Sequence, residues 1–317
     1  MADGRKLDPQ ARVLLDRAAA SGVPPLHTLS AVEARRVYRE TRAPLAPAPP
    51  ALAQVRDIAI PGPAGELRAR LYHPAPPGEA LPGMVYFHGG GWIYGDLDTH
   101  DAVCRGIAIH GECAVVSLDY RLAPEHKFPA AVEDSIAATR WIAANAAALG
   151  IDAARLIVAG DSAGGNLAAV TALALRDEVP LAMQVLIYPL VDFALDTVSH
   201  SRFAQGHLLT RDNLLWTRSS YLHDERDIGD WRASPLRAPD LSRLPPAYIV
   251  TAGFDPLRDE GRLYAERLAQ AGVAVTHECF EGQLHGFIVM GGVIAAANHA
   301  IYRIGQAMRS QLTRRTL

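Results

Sequence analysis

Short apolar runs rich in β-branched residues alternate along most of this chain with longer segments whose apolar positions recur every three or four residues. That alternation predicts βαβ units, hence an α/β fold with a mostly parallel sheet flanked by helices. Eight runs fit strands, over 55–60, 67–72, 84–87, 114–118, 156–159, 184–188, 248–251 and 274–280, the first two as an antiparallel hairpin. Between and after them, 101–110, 130–148, 164–175, 257–271 and 293–310 fit helices. The second helix is the most sharply bounded, starting after Pro129 and stopping at Gly150. No internal repeat and no coiled-coil heptad is present.

Two regions fall outside the alternation. Residues 1–50 carry helical patterns over 7–20 and 31–41 and end in the proline-rich stretch 44–50. Residues 191–242 interrupt the core between two strands and contain Phe193, Phe203, Leu208, Leu214, Leu215, Trp216, Tyr221 and Trp231. An insertion with so many large apolar side chains needs something to cover.

At 317 residues and 49% hydrophobic content the chain can bury a full core, and one large domain over 51–317 with a cap accounts for it. A formal net charge of −3 and a pI near 6.5 offer no basic surface for nucleic acid. No stretch reaches the roughly 18 apolar residues of a membrane helix. The opening residues, Met1 to Asp8, lack a signal peptide's apolar core, so a cytoplasmic location is expected. Cys104, Cys113 and Cys279 are too few and too scattered for a disulfide framework or a zinc site, and no His-Glu-x-x-His occurs, so neither metal nor other cofactor is expected. The 31 basic residues include only two lysines, Lys6 and Lys127, a trace of GC-rich codon usage that suggests a bacterial source.

The candidate chemistry begins at Gly160-Asp161-Ser162-Ala163-Gly164, set between a strand-like run and a helix-like one. A serine held on a tight strand-to-helix turn needs small residues two positions either side, and the following helix points free N–H groups toward it. The pattern is short and alone a moderate signal. A second motif adds to it: His88-Gly89-Gly90-Gly91-Trp92 follows the run 84–87 directly. Three adjacent glycines let backbone N–H groups approach a tetrahedral intermediate, each such donor being worth roughly 3 to 4 kcal/mol. A flexible turn or a phosphate cradle would be the bland readings, but no phosphate-loop pattern exists in the chain. Both motifs together point to acyl transfer through Ser162.

Such a serine needs a base and the base a carboxylate, in the chain order Ser, Asp, His. Asp255 lies where a strand end meets a loop, and His285 follows the last strand. Asp259 is a rival carboxylate placed one turn into the next helix. Any one of the 12 histidines is more often a surface residue than a base; position after Asp255 singles out His285.

Together, His88 to Trp92, the run 119–130, the elbow Gly160 to Gly165, the segment 255–261 and His285-Gly286-Phe287 resemble the hormone-sensitive-lipase family of esterases, also called bacterial esterase family IV, over about 200 residues. The resemblance implies the α/β-hydrolase fold, Ser162 as nucleophile, Asp255 as acid and His285 as base. It also implies oxyanion donors at the N–H groups of Gly90, Gly91 and Ala163, with His88, Gly89, Trp92, Gly160, Asp161 and Gly164 as supporting motif residues. Arg121 and Glu125, inside the run 119–130, are expected to form an ion pair that fixes that loop. Residues 1–50 and 191–242 are expected to form one helical cap that shapes an acyl or alcohol pocket; the alternative is a disordered N-terminal tail, with the aromatic residues serving only the insertion's own packing. The expected activity is a serine carboxylesterase acting on small acyl esters. An amidase or arylformamidase would use the same triad, and a non-catalytic small-molecule receptor would lack the histidine that this chain keeps. Of protein partners, the resemblance suggests only a homodimer through the C-terminal part.

Overall fold

The computed structural model describes residues 6–76 and 78–314. The outermost ends of the two expected segments, 1–5 and 315–317, lie outside the described residues.

All eight strands form, and they make one sheet: β1 (Gln54–Gly62), β2 (Gly65–His73), β3 (Leu81–Phe87), β4 (Ala114–Asp119), β5 (Ile151–Asp161), β6 (Met183–Ile187), β7 (Ala247–Phe254) and β8 (Val275–Leu284). Their spatial order is β1-β2-β4-β3-β5-β6-β7-β8. β2 runs antiparallel to both its neighbours, and every other pair is parallel. The hairpin expected at 55–72 is therefore present, with Gly62 opposite Gly65 at its turn.

The period-two alternation of each strand sorts its side chains to opposite faces. In β3, Val85 and Phe87 enter the core shared with α4 (Ala130–Ala144), α5 (Ala163–Leu175) and α8 (Arg258–Gln270). Met84 and Tyr86 face the other core, made with α3 (Asp101–Gly111) and α9 (Ala295–Arg314). Buried on both sides, the central strands read as continuous apolar runs. α5 is rich in glycine and alanine and is buried along almost its whole length, which lets its axis sit close to the sheet.

The helix expected over 130–148 ends instead at Ala144. There Asn145 leaves helical geometry and its side-chain amide donates to the Trp141 carbonyl at 2.8 Å, after which a 3₁₀ turn over Ala146–Leu149 closes on Gly150 at φ +69°.

The N-terminal segment folds as α1 (Pro9–Ala20) and α2 (Ala31–Arg42). Asp8 caps α1 by accepting from Gln10 N, with Pro9 in the first turn, and Ser30 caps α2 by accepting from Glu33 N. The insertion supplies α6 (Val198–Arg202) and α7 (Arg211–Tyr221), with short 3₁₀ turns around Glu225–Gly229 and Pro235–Arg237.

The ion pair expected between Arg121 and Glu125 does not form. Arg121 turns inward and makes a forked pair with the buried Asp134 of α4, 2.7 Å from its Nη2, while Asp134 also accepts from the Arg121 backbone N–H at 3.0 Å. Glu125 faces outward and is taken by Arg35 of α2 at 2.6 Å. A planar fork selects the carboxylate it can grip with two N–H groups, and Asp134 also satisfies the backbone donor. Asp134→Ala should thus lower unfolding free energy by about 3 kcal/mol, because it removes the forked partner of a largely buried guanidinium and leaves the Arg121 N–H group without its acceptor. Glu125→Gln, at a carboxylate that stands about half in solvent, should cost under about 1 kcal/mol. Urea titrations of both variants test this ranking, and equal losses would contradict it.

Candidate active site

Four loops meet at the carboxyl ends of parallel strands in one half of the sheet, where open α/β sheets place their ligand sites. β3 leads into residues 88–92, β5 into Ser162, β7 into Asp255 and β8 into His285. Ser162 is the single residue between β5 and α5, at φ +56° and ψ −117°. That conformation is costly for a residue with a side chain and persists only where its surroundings fix it. Its backbone N–H donates to Ile187 O at 2.8 Å, tying the turn to the end of β6. At Gly164 any Cβ would overlap the Phe87 carbonyl, so only glycine lets α5 start this close to β3.

His285 Nε2 lies 2.9 Å from Ser162 Oγ, and its Nδ1 lies 2.7 Å from Asp255 Oδ2. Asp255 is fully buried, and its second oxygen accepts from Leu257 N at 2.8 Å, which fixes the carboxylate plane. The rival Asp259 points elsewhere: it pairs with Arg258 at 2.9 Å and accepts from Ser199 N at 2.9 Å.

Across the serine, Gly90 (φ +122°) and Gly91 (φ +59°) shape the loop after β3. A Cβ on Gly90 would overlap the Tyr94 carbonyl oxygen. Among the described residues the N–H groups of Gly90, Gly91 and Ala163 donate to no protein acceptor. Trp92 is buried and stacks on Tyr221 of α7 at 4.2 Å, which seats the insertion on this loop.

Beneath the loop lies a layer of buried polar groups. Asp161 Oδ1 accepts from Tyr86 Oη at 2.9 Å and from Gly89 N at 2.9 Å, and His100 Nε2 is 3.2 Å away. Burial alone would lift the Asp161 carboxyl, but His100 and the Tyr86 hydroxyl hold it below the usual carboxylate range. His88 is buried, stacks on Tyr120 at 4.3 Å and is pushed down to about 4 by burial and by neighbouring His100. Sequence reasoning gave Asp161 and His88 only as supporting motif residues and missed Tyr86, Tyr120 and His100. Tyr86 and His100 look like ordinary strand-end and loop residues that no spacing marks, and Tyr120, although inside the run 119–130, carries no sign of its stacking partner.

Above the serine is a cavity of about 750 Å³. Leu14, Leu15, Val37 and Tyr38 of the N-terminal helices line it together with Leu208, Leu209, Leu214 and Thr217 of the insertion, and Gly90, Gly91, Ser162, Ala163 and His285 form its floor. His27 and Asn213, 3.3 Å apart, join the two covering segments directly. A mostly apolar chamber ending on a serine, a histidine and free N–H groups suits an acyl group whose carbonyl must gain negative charge. Among the described residues no group of three or more metal-ligating side chains occurs.

Comparison with known proteins gives a consistent picture. Residues 84–289 match a family model described as the alpha/beta hydrolase fold. The chain is 43% identical to the carboxylic ester hydrolase LipN of Mycobacterium tuberculosis, over 98% of this chain and 85% of that protein. It is 39% identical to an ethyl acetate hydrolase of Pseudomonas putida, over 93% and 94% of the two chains. Among solved structures it is similar to an ester hydrolase from the Lake Arreo metagenome, complexed with a bipyridine phosphonate derivative. The TM-score there is 0.93, with 42% identity covering 97% of this chain and 99% of that one.

The depressed His88 titration gives a pH prediction. The unfolded imidazole takes a proton near pH 6.5, whereas the folded one does so only near about 4. Between those values the unfolded state binds the extra proton, so stability falls as pH drops through that window and this contribution is complete by about pH 4. Urea unfolding at pH 7 and pH 4.5 should show a drop that is smaller by about 2 kcal/mol in His88→Asn than in the wild type. An identical drop would mean that His88 titrates normally.

Proposed function

This chain belongs to the α/β-hydrolase-fold family, in its hormone-sensitive-lipase branch, and is a carboxylic ester hydrolase; from that premise we propose how its residues perform the reaction. Ser162 Oγ attacks the ester carbonyl carbon while His285 Nε2 takes its proton, and Asp255 holds the imidazole with Nδ1–H directed at its carboxylate. The tetrahedral oxyanion sits against the N–H groups of Gly90, Gly91 and Ala163. Collapse breaks the carbonyl carbon to alkoxy oxygen bond, and His285 returns the proton to the departing alcohol. Water then attacks the acyl-serine by the same relay, releasing the acid and restoring Ser162. The observation that carries this reading is the unbroken line from Ser162 Oγ through His285 to the buried Asp255, at the floor of an apolar chamber.

Residues 6–50 and 191–242 act together in this reading as one cap that selects the acyl or alcohol group, supported by their shared lining of the chamber. The substrates are small esters of short to medium acyl chain length. Three cysteines without a disulfide suit a reducing cytoplasm, and the scarcity of lysine supports a bacterial source. No helix among the described residues is long and apolar enough to cross a membrane. A homodimer through the C-terminal part is supported by the outer edge of β8, which lies at one end of the sheet.

Ser162→Ala should lose about four orders of magnitude or more in kcat on p-nitrophenyl esters, and a fluorophosphonate should label Ser162. Retention of a tenth of wild-type activity, or a label mapping to another residue, would exclude this mechanism.

The two carboxylates give a separate test. Asp255→Asn should lose nearly four orders of magnitude, whereas Asp259→Asn, which disturbs the contacts to Ser199 and Arg258, should keep kcat within about tenfold. The reverse ranking would move the orienting role to Asp259.

A further inference from the structure

The α2 helix grips the glycine loop with three residues of one face. Arg35, Tyr38 and Arg39 stand at i, i+3 and i+4, so they project side by side. Arg35 Nε donates to Ile93 O at 2.7 Å, and its Nη2 donates to Ala123 O at 2.9 Å. The same guanidinium holds Glu125 with two further bonds of 2.8 and 2.6 Å. Tyr38 packs on Tyr94 with ring centroids 4.6 Å apart. Arg39 pairs with Asp96, whose other oxygen caps the turn at Asp98 and Thr99.

These contacts fall on the residues that fix the oxyanion glycines. Ile93 and Tyr94 both donate their N–H groups to Gly90 O at 3.0 Å, and Ala123 N donates to Trp92 O at 2.8 Å. Arg35 therefore clamps the far side of the turn whose near side carries the Gly90 and Gly91 N–H groups. Gly90 is already pressed against the Tyr94 carbonyl, so a shift of 93–94 is passed on to it. A surface ion pair alone would contribute little. Two charge-assisted bonds to backbone carbonyls of the two loops that follow β3 and β4 have another consequence, because donors misplaced by a fraction of an ångström lose their effect on the transition state.

We propose that Arg35 is a positioning residue for the oxyanion loop, so that the N-terminal segment is part of the catalytic apparatus and not only a cover over the chamber. The inference rests on the reading above that the Gly90 and Gly91 N–H groups hold the oxyanion. The guanidinium never meets substrate. Its effect belongs in kcat, where the oxyanion develops, and not in ground-state binding.

The test uses full-length wild type, Arg35→Met and Arg35→Lys. Active sites are counted by exhaustive fluorophosphonate titration, so that a smaller folded fraction is not mistaken for slower chemistry. Removal of one oxyanion donor costs about a hundred- to a thousandfold in related chemistry, so a displaced loop should cost about ten- to a hundredfold. In Arg35→Met, kcat per titrated site should fall by that factor with KM within about threefold. Affinity for an aryl trifluoromethyl ketone, whose serine adduct carries an oxyanion, should fall in parallel. Arg35→Lys, which keeps a donor for one carbonyl, should recover part of both. A kcat per site within about twofold of wild type in Arg35→Met would overturn the proposal, whatever happens to thermal stability. A loss confined to KM would overturn it too. If Arg35→Met does not fold, Arg35→Gln is read by the same criteria. Wild type that fails to react at Ser162 would instead sink the hydrolase mechanism itself, which separates the two failures.

Discussion

The turn at Ser162 is the constraint on which the rest of the molecule depends. A residue with a side chain at φ +56° is held in a strained conformation worth about 1 to 3 kcal/mol, and something must prevent its relaxation. Here that something is close packing. Gly164 lets the first turn of α5 press against the Phe87 carbonyl of β3, and the almost wholly buried α5 cannot withdraw without opening the core between the sheet and α4. The serine is thus presented by the same packing that makes the domain stable, and its hydroxyl meets His285 without any adjustment of its own backbone.

A second constraint is electrostatic. Asp161, one residue before the serine, is buried with Tyr86 and the Gly89 N–H group on one oxygen and His100 close by. An isolated carboxylate there would be very costly, so the donors around it are obligatory. Because Gly89 belongs to the glycine loop and Asp161 to the elbow, this single side chain ties the loop to the turn that carries Ser162. His88, neutral and stacked on Tyr120, fills the remaining space without adding a second charge.

The covering segments differ in how firmly they are attached. The insertion is seated by a cluster of Trp92, Tyr221 and Phe193, whose rings touch one another, and by hydrogen bonds such as Phe128 N to Tyr221 O at 2.8 Å and Lys127 Nζ to Ser219 O and Leu222 O. α2 is attached by the Tyr38 ring against Tyr94 and by charged and hydrogen-bonded contacts from Arg35 and Arg39 to the loop below. Polar contacts of fixed geometry transmit position better than apolar ones, which tolerate sliding.

Much of this was legible in the sequence because it is local. Strand and helix periods, the tight turn at Gly160 to Gly164 and the three glycines after β3 are dictated by neighbours along the chain, and they are enough to specify the eight strands and the α/β fold. The sequence also named Ser162, Asp255 and His285, which the folded chain brings within hydrogen-bond distance of one another. What only tertiary structure decided are pairings between distant residues. Arg121 chose Asp134 over the nearby Glu125, and Glu125 went to Arg35, 90 residues away. Tyr86 and His100 gathered around Asp161 with no spacing to announce them. A charge or a hydroxyl carries no record in the chain of which partner it will meet, because that choice depends on which groups packing leaves buried together and therefore in need of each other.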